Sequence, residues 1–226
     1  MTFLRVAAVL FLFVSTGEVA RAANGGRELP ESFEYKWTLG GFKGVMARMF
    51  IPGRGEGRLT TDAGSGDLLV TELRISSREG KRDEYWLYGA EIDPLVRRTV
   101  RAWSAQRFRG ESKRKERSAD GVDALDLASS IYYLRQELPT RSQEAEIWSS
   151  GRLNPVIIQP LGRGLARLNG RPVATRSYAI RGVSKPGRPH WRGKMDLVLT
   201  DDEEAVPLEI VVVRKGMRVR LELVDG

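Results

Sequence analysis

The sequence predicts a mainly β fold, a curved antiparallel sheet or open half-barrel with one central α-helix packed across its concave face. Three observations predict it. Short runs that alternate apolar and polar residues follow one another along most of the chain. The connections between these runs are too short for parallel crossovers, so neighbouring strands pair antiparallel. One stretch alone, DGVDALDLASSIYYLRQELP from Asp120 to Pro139, gathers its apolar residues at helical spacing.

The first strand is FEYKWTL. Phe33, Tyr35, Trp37 and Leu39 point one way, and Glu34, Lys36 and Thr38 the other. Gly40 and Gly41 make a turn, and KGVMARMF is expected to return as a strand. The runs EGRLTTDA, DLLVTELRIS, DEYWLYGAEI and LVRRTVRAW follow, separated by the turn-forming PGRGEG, AGSG and REGKRD. QRFRGESKRKERSADG is the most basic segment of the chain. It reads as a solvated hairpin or loop, or as an anion-binding arm built on Lys113, Arg114 and Lys115.

The helix is expected from Asp120 to Glu137. Asp120 serves as N-cap, Asp123 lies near the positive helix end, and Pro139 stops the helix. Asp123, Asp126, Ser130, Tyr133 and Glu137 form one polar stripe, and Leu127, Ile131, Tyr132 and Leu134 belong to a wide apolar arc. An arc that wide is covered on more than one side, so the helix lies across the sheet as a plug or lid. After it come AEIWSS, a turn at GRLN, PVIIQPLG and VATRSYAIRG. KPGRPHWRG is a loop, and the last thirty or so residues read as three consecutive strands joined around DDEEAV and RKG.

Composition narrows the function classes. VAAVLFLFVST, between Arg5 and the small-residue site Ala20-Arg21-Ala22, has the pattern of a signal peptide and is too short to span a membrane. Cleavage after Ala22 is expected, which leaves one domain from residue 23 to 226 and a periplasmic location. The chain has no cysteine, so disulfides, thiolate metal sites and a cysteine nucleophile are excluded. The net charge is +8. Export argues against nucleic acid as the partner and toward an anionic membrane surface, lipopolysaccharide or wall polymer.

No constellation for catalysis, metal or cofactor stands out. His190 is the only histidine, which rules out a site of several histidines. No G-x-S-x-G occurs, and neither GRGEG nor LGRG joins a strand to a helix. Asp123 and Asp126 suit a helix start better than acid–base work, and the run from Asp201 to Glu204 suits a turn better than a calcium loop. The aromatic residues point to a ligand that is partly apolar. Tyr35, Trp37 and Trp86 on the sheet, with Leu127, Ile131, Tyr132 and Leu134 on the helix, are the candidate ligand-binding residues.

The helix ending SSIYYLR, the strand pair after it, VLTDDEEAVPLEIVV and the opening FEYKWTLGGFKG together resemble a bacterial exported family, domain of unknown function 3108. Two features depart from that family. Its members carry a glycine soon after the helix-closing proline, where this chain reads LPTRSQEAEIW, and the basic segment before Asp120 is particular to this chain. The resemblance implies an envelope protein with a curved antiparallel sheet around a helix, similar to the lipoprotein carriers of outer-membrane sorting. It implies no catalytic residues. The expected function is therefore a non-catalytic binding or carrier module for an apolar or acylated envelope ligand, with the helix as lid or as fixed core. The alternative is an adaptor whose basic surface docks on anionic envelope polymers.

Overall fold

The computed structural model describes residues 28–47, 52–77, 84–118, 124–149, 152–188 and 190–224. The expected signal peptide and its cleavage site lie outside the described residues, as do Asp120 and Asp123. The described strands form a single sheet of thirteen. In chain order they are β1 (Glu31–Gly40), β2 (Arg54–Ala63), β3 (Leu69–Ser76), β4 (Tyr85–Asp93), β5 (Arg98–Phe108), β6 (Glu111–Ser118), β7 (Ala124–Leu125), β8 (Gln143–Ser149), β9 (Arg152–Leu168), β10 (Arg171–Gly182), β11 (Lys194–Thr200), β12 (Pro207–Arg214) and β13 (Met217–Leu223). Among the described residues two helices accompany them, α1 (Phe42–Ala47) and α2 (Leu127–Glu137).

The spatial order is β6-β5-β4-β3-β2-β1-β13-β12-β11-β10-β9-β8-β7. Two meanders are thus sewn together where the first strand pairs with the last, Trp37 opposite Leu221 and Leu39 opposite Val219. The edge strands β6 and β7 are not hydrogen-bonded to each other, so the sheet curls but stays open. Among the described residues the only parallel pairing joins β7 to β8.

Period-2 alternation sets the core as expected. Tyr35, Trp37 and Leu39 are buried while Glu34, Lys36 and Thr38 are exposed. They share one apolar cluster with Leu59, Leu73, Ile158, Tyr178, Leu197, Ile210 and Leu221, drawn from both meanders, and with Ala128, Ile131 and Leu134 of α2. Each fully buried apolar side chain of this size contributes about 1.5–3 kcal/mol. Tyr132 points into a second, smaller cluster with Leu69, Ala90 and Ile92. The helix is therefore enclosed on two sides.

Several expectations are corrected. KGVMARMF does not return as a strand, because Phe42–Ala47 forms the short helix α1 at the end of β1. The central helix begins at Leu127, not in the DGVDAL stretch. Ala124 and Leu125 are drawn into a strand instead, by pairing with Glu146 and Ile147. Asp126 is then the N-cap, with a capping box in which the Ser129 amide donates to the Asp126 carboxylate and the Asp126 amide to the Ser129 hydroxyl. At the other end Leu138 takes the left-handed conformation before Pro139. The polar stripe also fails in part: Asp126 and Ser130 are buried, as is Arg135, which lay outside it. The basic segment is a hairpin, with β6 exposed along its whole length.

Candidate functional site

The same helix has two unlike ends. At its C-terminal end the Arg135 side chain is 2% exposed and fully engaged. Its two terminal nitrogens donate to the two oxygens of Glu31 at 2.6 Å each. Its Nε donates to the Ala205 carbonyl at 3.0 Å, and a terminal nitrogen to that of Glu204 at 3.1 Å. The guanidinium also lies over the Phe33 ring. Glu137 pairs with Arg97 nearby. A bidentate, enclosed guanidinium fixes both position and orientation, so this end of α2 is bolted to β1 and to the turn between β11 and β12.

That turn explains the acidic run. Asp202 accepts from the Thr200 hydroxyl at 2.6 Å and the Ala205 amide at 3.0 Å, while Asp201 pairs with Arg163 and Arg176. Among the described residues no cluster of three or more histidine or carboxylate side chains is placed to hold a metal ion. His190 is exposed in the loop between β10 and β11.

Beyond the N-terminal end of α2 lies a cavity of about 300 Å³ that opens to the surface. Its apolar wall is built from Trp86 and Tyr88 of β4, Leu127 of α2, Ile147 and Trp148 of β8, and Trp191. Lys113 and Lys115 of β6 and Arg214 of β12 also line it. Strand periodicity explains why Lys113 and Lys115 contribute and Arg114 does not: successive side chains leave opposite faces, and Arg114 pairs instead with Glu116 at 3.2 Å. Trp191 reaches its place because two glycines let it. A Cβ on Gly193 would come within 2.4 Å of the indole, and one on Gly182 within 1.9 Å of the Trp191 carbonyl oxygen.

Two buried polar atoms among the residues lining this cavity have no hydrogen-bond partner, Asp126 Oδ2 and Trp148 Nε1. Burial pushes the Asp126 carboxyl up to about 7, against the pull of hydrogen bonds from Ser129 and Ala128. Burial likewise raises the Tyr88 phenol; Arg214 opposes this and Asp126 adds to it.

The residues singled out in the sequence separate into two places. Trp86 and Leu127 line the cavity, together with Lys113 and Lys115. Tyr35, Trp37, Ile131 and Leu134 are in the main core and Tyr132 in the smaller one. The Tyr35 hydroxyl donates to the Pro207 carbonyl at 2.9 Å and the Trp37 indole to that of Ser76 at 2.8 Å. The cavity lined by Trp86 and Leu127 lies past the helix's first turn. A second open space of about 420 Å³ runs alongside the helix, between Tyr133 and Glu137 and the Leu95–Arg98 turn. Trp148 and Trp191 are lining residues that sequence reasoning did not single out. The alternation in AEIWSS and the glycines on either side of Trp191 were the available signals.

No family model matches the chain, and comparison with curated proteins finds no match. Among solved structures the chain is similar to a β-barrel-like protein of domain of unknown function DUF1849 from Brucella abortus. The TM-score is 0.53 at 11% identity, over 87% of this chain and 96% of that one. LprF from Mycobacterium bovis overlaps at a TM-score of 0.33 and 11% identity, over 93% of this chain and 91% of that one. The first likeness shows the fold, a β-barrel-like sheet that here stays open around one central helix.

Proposed function

We propose that the protein is an exported, non-catalytic binding or carrier module of the periplasm. Its cavity takes the acyl chain of an anionic envelope amphiphile, a lipid or a lipoprotein. The observation that carries this reading is the pairing of an aromatic-walled cavity with a basic rim at the N-terminal end of the helix. A volume of about 300 Å³ lies at the small end of ligand pockets, which suits one short chain or the end of a longer one. Trp86, Trp148, Trp191 and Leu127 supply apolar contact, and Lys113, Lys115 and Arg214 supply the charge that meets an anionic group held at the mouth. The resemblance to the family of domain of unknown function 3108 supports an envelope setting. In this reading the helix is a fixed wall of the site, because Arg135 holds it to two other elements.

The test uses dansyl-undecanoic acid as a fluorescent probe on the purified protein. Saturable binding is expected, with enhanced emission and quenching of the wall tryptophans. Val212→Trp, which fills the cavity from β12, should abolish it. Lys113→Gln with Lys115→Gln should weaken it for the acid but not for the corresponding methyl ester. Wild-type protein that fails to bind the probe, or a Val212→Trp variant that binds it unchanged, overturns the reading.

A further inference from the structure

The chain also carries an apolar and basic projection at the other end of the molecule. Strand β8 leaves β9 after Ile158, and β11 leaves β10 at Thr175. Among the described residues, from the rung Ala166–Val173 outward β9 and β10 pair with nothing but each other, the Asp201 amide still donating to the Ala174 carbonyl at 2.8 Å. The three residues from Val173 to Arg171 carry this ribbon about 10 Å past its last neighbour, at about 3.3 Å per residue. A register shift marks its base: Ser177 pairs with Gly162 and Tyr178 with Pro160, so Leu161 is the extra residue.

The composition of this ribbon is distinctive. Between Gln159 and Ala174 it has Arg163, Arg167 and Arg171 and no acidic residue. Leu165 is 81% exposed and Leu161 58% exposed. Arg163, Leu165 and Arg167 alternate along β9 and so share one face. Acidic groups stay at the base, where Asp201 meets Arg163 at 3.0 Å. A second tip lies at this same end, tied to it by the pairing of Arg97 with Glu137 at the close of α2. It is the β4–β5 turn, where Leu95 is 75% exposed and Val96 58% exposed beside Arg97 and Arg98. Two exposed apolar tips flanked by arginine at one end match a surface that is apolar a few ångströms down and anionic above.

We infer that the β9–β10 ribbon docks the protein on an anionic phospholipid bilayer, with Leu161 and Leu165 entering the interface and Arg167 and Arg171 meeting the headgroups. The Leu95–Val96 tip forms a second point of contact. Docked in this way, the protein holds its cavity at the end away from the bilayer. The inference does not depend on the cavity reading, since no residue is shared between the two.

Co-sedimentation with vesicles of phosphatidylcholine and phosphatidylglycerol at low salt tests it. Wild-type protein should bind these vesicles, bind phosphatidylcholine alone far more weakly, and lose affinity as salt is added. Each basic residue near such a surface is worth roughly fivefold in affinity, so Arg167→Gln with Arg171→Gln should lose roughly 25-fold. Leu165→Ser should lose about tenfold, with less dependence on salt. Arg167 and Arg171 lie beyond the sheet's last shared rung and the Leu165 side chain is exposed, so melting temperatures should not move. Ribbon variants that bind anionic vesicles like wild type overturn the inference. So does a loss that follows Lys113→Gln, Arg114→Gln and Lys115→Gln instead. A concentration-dependent dimer that Leu165→Ser dissolves would assign the ribbon to a second copy of this chain and equally overturn it. Probe binding in the cavity should be unchanged in the ribbon variants, which keeps the two readings separable.

Discussion

The two ends of α2 differ in how completely their polar groups are satisfied. At the C-terminal end one buried guanidinium meets a carboxylate, two carbonyls and an aromatic ring. At the N-terminal end a buried carboxylate oxygen and an indole N–H stand without partners among the residues around a cavity. Buried polar groups are paired in nearly every native structure, and the exceptions call for a reason. Here the finished end carries the buried ion pair, and the unfinished end borders the aromatic-walled cavity. The contrast teaches that one helix can be a structural bolt at one end and border a cavity at the other.

The largest expected effect breaks the finished end. Arg135→Met leaves Glu31 and two carbonyls without their partner in a place the guanidinium had closed to water. Removing one member of a buried pair costs about 3–5 kcal/mol, and denaturant unfolding should read a loss in that range. Replacing Glu31 by Gln in the same chain should recover part of it, because the stranded charge is then gone. A loss below about 1 kcal/mol would mean that the bolt carries little.

The next effect belongs to the cavity end and depends on pH. The folded Asp126 carboxyl sits at about 7 against an ordinary 3.8. Its folded value is the higher one, so the folded state holds the proton more tightly. Stability is then full below about pH 4, falls as the unfolded chain ionises, and reaches its floor above about pH 7. The difference between the two values is worth about 4 kcal/mol at 1.36 kcal/mol per pH unit. Asp126→Asn keeps a good N-cap and removes the titration. Wild type should lose stability relative to this variant between pH 4 and 7, and parallel profiles would show that the carboxyl is not held up by burial.

Much of the sheet was legible because period-2 alternation is local. Trp37 and Leu39 could be placed inward from five residues of context. The helix centre was legible for the same reason, since Ile131 and Leu134 lie at helical spacing. Its start was not. Asp120 and Asp126 are both acceptable caps, and the choice was made by β8, which pairs with Ala124 and Leu125 from some twenty residues away. The role of Arg135 was illegible because its partner Glu31 lies 104 residues earlier and the Ala205 carbonyl 70 residues later. The cavity was half legible. Trp86, Leu127, Lys113 and Lys115 could be named, but only the curl of the sheet brings β6 across from Trp148 and Trp191.

The smallest effect compares two tryptophans given the same substitution. Trp37 is 2% exposed, and its indole N–H donates to the Ser76 carbonyl at 2.8 Å. Trp148 is 8% exposed, and its N–H has no partner. Changing either to Phe removes one ring and one donor. At Trp37 the change leaves a carbonyl unpaired and opens a void in a packed core. At Trp148 it removes a donor that was already unsatisfied, beside a cavity that can absorb the lost volume. Leaving a buried partner unpaired costs about 1–3 kcal/mol, whereas removing an orphan costs nothing on that account. Trp37→Phe should therefore be the more destabilising by about 1–2 kcal/mol, measured by denaturant unfolding with unchanged slope. Equal losses would mean that the N–H of Trp148 is satisfied in solution and that the contrast between the two regions is smaller than the geometry implies. Adding the dansyl probe sharpens the comparison further: it should protect wild type and Trp37→Phe alike, and protect Trp148→Phe less, because only Trp148 forms part of the cavity wall.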